Sequence, residues 1–204
     1  MKRKIRMTDQ KKEQYKEQYY ETTIKSDNIY KGHIVSLDVE TVELPDMKYA
    51  KREIISHPRC VGLIPLTEKG TLHMVRQFRC AVKEMMLEIP AGLVDLGESP
   101  QEAALRECQE EIKYKPGKLT YLMDLYSSPG YSNEKLSLFL AEDLSPSPKS
   151  LDETEFLQVA QYPIEDLYNM VKNFEITDSK TVVAILYAYF EIFKPNEEKF
   201  LEKR

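Results

Sequence analysis

The stretch Gly92–Tyr114, GLVDLGESPQEAALRECQEEIKY, decides how the chain is read. Ser99-Pro100-Gln101-Glu102 sets out a helix-capping residue, a proline at the first helical position and a glutamate three residues after the cap. That is the order of a capping box, and it predicts a helix running to about Ile112. Along this helix Glu107, Glu110 and Glu111 fall at i, i+3 and i+4 on one face. Leu105, Cys108 and Ile112 fall on another face and can pack inward. Arg106, four residues after Glu102 and four before Glu110, can brace neighbouring carboxylates. Carboxylates sharing a face repel by roughly a few tenths of a kcal/mol per pair, and those at the C-terminal end also oppose the helix macrodipole. A hard divalent cation removes that penalty, because magnesium prefers oxygen ligands and is held by a few carboxylates, waters and substrate phosphates. A solvated acidic face is the competing reading, and the E-x-x-E-E spacing alone does not choose between the two.

On either side of the helix the period is that of strands. Val35, Leu37, Val39 and Thr41 alternate with Ser36, Asp38 and Glu40, as in a half-buried strand. Pro45-Asp46 reads as a turn, and a second strand runs from Lys48 to Ile55, so the two form a small antiparallel sheet. The main domain starts near His57-Pro58. Cys60–Leu66 and Thr71–Gln77 are apolar runs joined by Thr67-Glu68-Lys69-Gly70, which reads as a hairpin. Met85–Ile89, Leu119–Tyr126, Leu136–Glu142 and Phe156–Tyr162 read as further strands. Gly117 reads as a break after the helix, and Leu144–Asp152, rich in Ser and Pro, as a surface loop. Ile164, Leu167 and Val171 fall at helical spacing after Pro163, and a last helix starts near Asp178 and covers Val182 to Phe193. The expected organisation is a polar, frayed or partly helical lead-in at 1–22, an N-terminal β subdomain at 23–56 and a main domain at 57–204. The element order is α+β, with helices covering the sheet.

A chain of 204 residues, 42% hydrophobic and 31% charged, fits one soluble domain with an appendage. Its net charge of −5 argues against general nucleic-acid binding, which needs Lys and Arg to neutralise phosphates. The basic N-terminus (Lys2, Arg3, Lys4, Arg6, Lys11, Lys12) lacks an apolar core of the secretory type and reads as a solvated tail. No apolar run approaches the ~18 residues of a membrane span. Cys60, Cys80 and Cys108 match no zinc spacing, and an odd count without a signal peptide points to a reducing compartment, the cytoplasm. The three thiols are expected as small hydrophobes in or near the core.

The residues flanking the carboxylates resemble the Nudix box, G-x5-E-x7-R-E-U-x-E-E-x-G-U, with U aliphatic. Gly92, Glu98, Arg106, Glu107, Glu110 and Glu111 occupy their places, and Cys108 and Tyr114 are loose substitutes at two U positions. Lys113 stands where the family has a glycine that ends the helix with positive φ, a change worth up to about 1 kcal/mol. The resemblance covers roughly residues 28–190. Arg52–Pro58, Val75–Arg79 and Glu88–Gly92 look like the ADP-ribose pyrophosphatase branch, and Ser128–Glu134 resembles that branch's S-P-G-x-S-x-E loop. Pro129 lies about fifteen residues past the box, where this branch is marked by a proline.

The resemblance implies a Nudix-type α/β/α sandwich with a mixed sheet, preceded by a small N-terminal antiparallel sheet. It implies hydrolysis of the pyrophosphate of ADP-ribose, or of a related nucleoside diphosphate derivative, with Mg²⁺ or alternatively Mn²⁺. Glu107 and Glu111 are then metal ligands, Glu110 a ligand or close to one, and the Ala91 carbonyl completes the site. Glu98 and Arg106 hold the box together. Glu134 is the catalytic base or water-orienting group. Arg79 and Glu88 contact the diphosphate and ribose region or a metal, Arg52 helps clamp adenine or phosphates, and Gly130 lies in the substrate loop. His33 sits near where the family places an aromatic side chain on adenine, with Tyr30 competing for that role. The family also implies a homodimer formed through the N-terminal strands. Two alternatives remain: a Nudix pyrophosphatase for nucleotide sugars, NADH or dinucleoside polyphosphates, or a non-catalytic domain that senses ADP-ribose. The latter usually loses box carboxylates, and here Glu98, Glu107, Glu110, Glu111 and Glu134 all remain.

Overall fold

The structure is a computed structural model that describes residues 18–147 and 156–203. It divides into two compact units, one comprising the chain through His57 with Ser128–Asn133, the other Pro58–Ser127 with the chain from Glu134 onward.

The first unit holds an antiparallel sheet of β1 (Thr22–Lys31), β2 (Ser36–Glu43) and β3 (Tyr49–Ser56), in that order. β2 and β3 lie within a residue or so of the strands read from the sequence. β1 was not foreseen, because register shifts between Thr23 and Lys25 and between Asn28 and Tyr30 break its period of two. Its side chains are also nearly all exposed, so burial imposes no alternation. Ser128–Asn133 runs beside β3: Ile55 N donates to Tyr131 O at 2.7 Å, and Asn133 N donates to Ile55 O at 3.1 Å.

The second unit contains β4 (Cys60–Pro65), β5 (Thr71–Arg79), β6 (Glu84–Glu88), β7 (Ala91–Leu93), α1 (Pro100–Glu111), β8 (Tyr114–Tyr126), β9 (Lys135–Pro146), β10 (Leu157–Pro163), α2 (Ile164–Lys172) and α3 (Ser179–Tyr187). A π-helical turn, Ala188–Phe193, continues α3, and α4 (Glu197–Leu201) follows. One sheet has the order β7-β4-β9-β8 and is mixed, with β4 parallel to β9; the other is antiparallel, β10-β5-β6. Successive residues of β4 face opposite ways, which fixes the layers. Val61 and Leu63 pack with Ala103, Ala104, Cys108 and Ile112 around α1. Cys60 and Ile64 pack with Ile164, Leu167, Ala184 and Ile185 of α2 and α3. Helices therefore cover both faces, as the expected sandwich requires. Among the described residues no helix is long and apolar enough to cross a membrane.

Five local expectations are corrected. Thr67–Gly70 does form a turn, with Thr67 N on Thr71 O at 2.9 Å, but β4 and β5 enter different sheets, and an isolated Leu66–Leu72 bridge closes the turn in place of a hairpin ladder. Turn chemistry closes the corner without choosing strand partners. Gly117 lies inside β8 and is no break: a Cβ there would come 2.9 Å from Asp143 Cβ, at a point where Asp143 takes φ 54°. Leu144–Pro146 belongs to β9, while residues 148–152 of that expected loop, like most of the lead-in, lie outside the described residues. Cys80 is exposed in the turn after β5, although Cys60 and Cys108 are buried. On α1 the small Ala103 and Ala104 are fully buried, and Leu105 is only half-buried.

Candidate active site

The capping box starts α1 as read: Ser99 N donates to Glu102 Oε2 at 2.8 Å, and Glu102 N donates to Ser99 Oγ at 3.3 Å. Ala103, Ala104 and Cys108 let the helix approach the sheet closely, and the carboxylates on the neighbouring positions are carried in with them. Glu107 is 7% exposed and Glu111 4%. Such burial of ionisable groups is unfavourable unless they are paired or bind a cation. Arg106 provides much of the pairing. Its Nε and one terminal nitrogen bond Glu98 at 3.0 Å each. The other terminal nitrogen reaches Glu107 Oε1 at 2.6 Å and Glu110 Oε2 at 3.3 Å. A further bond to Leu93 O at 2.8 Å ties the helix to the end of β7. The hydrogen bonds that Arg106 donates to Glu98, foremost among these partners, raise its pKa well above the ordinary value. Glu98 also accepts Asp95 N at 3.1 Å, closing the box loop. Lys113 takes φ 64° in the position of the family glycine, and its ammonium caps Glu110 O at 2.8 Å.

β7 completes this corner. Ala91 N donates to Glu111 Oε2 at 3.0 Å, and a Cβ on Gly92 would overlap the Glu107 carboxylate. The result is a buried and half-buried set of carboxylate oxygens beside a peptide that only glycine allows so close. An all-oxygen donor set of this kind fits a hard divalent ion, and Glu107, Glu110, Glu111 and the Ala91 carbonyl are the groups that would hold it.

A second cluster lies along β5 and β6. Arg79 grips Glu88 with both arms, Nε to Oε1 at 2.6 Å and a terminal nitrogen to Oε2 at 2.7 Å. Lys180, on the first turn of α3, also bonds Glu88 Oε2. Burial opposes ionisation of Glu88, but the Arg79 and Lys180 cations together hold its pKa below the ordinary value. The Arg79 pKa is raised, first by its hydrogen bonds to Glu88 and further by the negative charges of Asp178 and Glu111. Thr181 Oγ1 accepts Ile89 N at 2.9 Å and donates to Asp178, the cap of α3.

Glu134 opens the third part, immediately before β9. Its Oε2 accepts the Ser127 hydroxyl at 2.5 Å, and its Oε1 lies 3.8 Å from Cys60 Sγ. The Cys60 thiol is pushed up to about 12, by burial first, then by Glu134, with a smaller contribution from Glu107. Cys60 thus borders the Glu134 carboxylate.

Arg52, His33 and Gly130 belong to the first unit. Arg52, on β3, makes a two-armed pair with Glu21 at 2.9 and 2.5 Å. His33 is in the turn between β1 and β2, and Gly130 is in the Ser128–Asn133 segment, with open space where a Cβ would be. Sequence reading missed Lys180, Ser127 and Cys60. Asp178 carried the signal of a helix start, but nothing local shows that this turn meets Glu88 and Ile89 about ninety residues away.

Residues 56–184 match the NUDIX domain family model. The chain is 43% identical over 169 residues to a Bacillus subtilis (strain 168) protein named ADP-ribose pyrophosphatase, covering 82% of this chain and 91% of that one. It is 37% identical over 171 residues to a Bacillus methanolicus protein named methanol dehydrogenase activator, covering 83% and 92%. A crystal structure of an ADP compounds hydrolase shares the fold with a TM-score of 0.76 at 23% identity, over 86% of this chain and 95% of that one. With the box corner assembled around Arg106 and the family model matched across most of the chain, the protein belongs to the Nudix family.

Proposed function

We propose that the protein hydrolyses the pyrophosphate of ADP-ribose, giving AMP and ribose 5-phosphate, with Mg²⁺ as the physiological ion and Mn²⁺ as the alternative. The observation that carries this reading is the convergence of buried Glu107 and Glu111 on Ala91 and Gly92, beside the Glu88–Arg79 pair. ADP-ribose is preferred because a relative of that named activity aligns over 82% of the chain. When bound by Glu107, Glu110, Glu111 and the Ala91 carbonyl, the ions supply neutralisation of phosphate charge and a water of lowered pKa. Glu134, steadied by Ser127, orients the attacking water and accepts its proton. Arg79 donates to diphosphate oxygens. The water oxygen bonds phosphorus in line as the bridging P–O bond breaks, and a phosphate monoester leaves.

A homodimer is part of the proposal, with residues 23–56 as the dimerisation region. It is supported by Ile24, Ile29 and Tyr30 of β1, which are 56%, 60% and 57% exposed. Sedimentation at assay concentration tests it, and a monomer at full specific activity removes it.

The direct test of the chemistry is Glu111→Gln and Glu134→Gln with ADP-ribose and Mg²⁺. Both proteins are expected to fold and lose turnover. Near wild-type rates in both overturn the assignment. A panel of ADP-ribose, nucleotide sugars, NADH and dinucleoside polyphosphates separates the substrate classes.

A further inference from the structure

Glu88 is 1% exposed, and two cations converge on it. Arg79 occupies both of its oxygens, and Lys180 shares Oε2. The two cations differ in what holds them. The Arg79 side chain is 40% exposed, and it feels the negative field of Glu111. The Lys180 side chain is 20% exposed and is held from its other side by Asp178 Oδ1 at 2.9 Å. Thr181, the next residue, takes Ile89 N. The first turn of α3 therefore grips both the side chain of Glu88 and the peptide that follows it, a few residues before Ala91.

We propose that Lys180 is a positioning residue for diphosphate binding: it is the fixed counter-ion of Glu88, and by holding that charge it frees Arg79 to swing from Glu88 to a phosphate oxygen. This rests on the pyrophosphatase reading and on Arg79 as the diphosphate contact. The reason is electrostatic. Stripping the sole partner from a buried charge is strongly unfavourable. With Lys180 present, Glu88 stays paired when Arg79 turns. Without it, Arg79 is needed where it is, and each diphosphate bound leaves a buried carboxylate uncompensated. Lys180 itself is poorly placed to reach substrate, since it would have to leave two carboxylates at once. Arg79, in contrast, leaves Glu88 in the hands of Lys180 and can then offer its planar fork to phosphate oxygens.

The test is a double-mutant cycle on residues 180 and 88, read by calorimetric binding of α,β-methylene ADP-ribose together with kcat and KM. K180M is expected to weaken binding and raise KM by about 10-fold or more, with kcat kept within about 3-fold, because Glu107, Glu111 and Glu134 are untouched. K180R should recover most of the affinity. In the E88Q background no buried charge remains to be served, so adding K180M should change affinity by less than about 2-fold. Wild-type affinity in K180M, or its full loss persisting in the E88Q background, overturns the proposal. Should K180M alone fail to fold, the K180M/E88Q protein decides: binding like E88Q supports the proposal, and weaker binding overturns it. The two readings fail separately. Absence of wild-type turnover across the substrate panel sinks the pyrophosphatase reading, and the cycle is then read with inorganic pyrophosphate. Intact turnover without coupling between residues 180 and 88 sinks this one.

Discussion

The carboxylate of Glu107 fills the space that a Cβ on Gly92 would need, so the first residue of the box and one of its acids occupy one volume. What must yield in Gly92→Ala is the far end of a flexible side chain, and the backbone can stay in place. The fold should survive, with Tm within a few degrees of wild type, while Glu107 is displaced. Turnover or Mg²⁺ affinity is expected to fall roughly 10–100-fold, as for other disturbed ligand shells. A Mg²⁺ titration of activity beside a melting curve checks this, and unchanged metal dependence would contradict it.

Arg106 bonds Glu98, Glu107, Glu110 and the Leu93 carbonyl at once. Lysine offers a point charge and cannot reproduce the fork. Arg106→Lys should therefore lower stability as well as activity, by about 3 kcal/mol in urea unfolding if the semi-buried network behaves like other broken buried pairs. A loss under about 1 kcal/mol, the ordinary worth of an exposed pair, would show that the network is solvated rather than structural.

Lys113 occupies a left-handed position, φ 64°. Lys113→Gly relieves that strain and gives up the partly exposed bond to Glu110 O. A gain of about 0.5–1 kcal/mol, with turnover unchanged, is expected. Thermal melts and steady-state rates settle it; a loss of stability would mean that the Lys113 cap outweighs the backbone strain.

Asp124 gives the pH prediction. Burial alone would raise its pKa, but Lys135, Ser137 and Arg59 bond it at 2.6–2.7 Å and bring it down to about 2. A carboxylate lowered on folding stabilises the native state above its unfolded pKa, near 3.9, and that contribution is lost as pH falls through the folded value. Asp124→Asn should therefore melt below wild type at neutral pH, with the gap closing between about pH 4 and pH 2. A gap that persists at pH 2 would assign the effect to packing.

The sequence by itself determined the helix of the box, from the Ser99 cap to Ile112, because capping, periodicity and helix ends depend on residues a few positions apart. It determined β2, β3 and the apolar strands of the main domain for the same reason, and the resemblance to the Nudix box rests on the same local spacing. It did not reveal β1, whose two bulges disturb the alternation, nor that β4 and β5 leave their shared turn for different sheets. Those are choices of partner, made by the packing of β4 between α1 and the helices α2 and α3. The site divides along the same line. Glu107, Glu110 and Glu111 share a face because the helix repeats every 3.6 residues. That Glu107 lies against Gly92, that Cys60 borders Glu134, and that Lys180 shares Glu88 with Arg79 are contacts between segments far apart in the chain, and only the folded sheet and its two helical layers bring them within hydrogen-bonding reach.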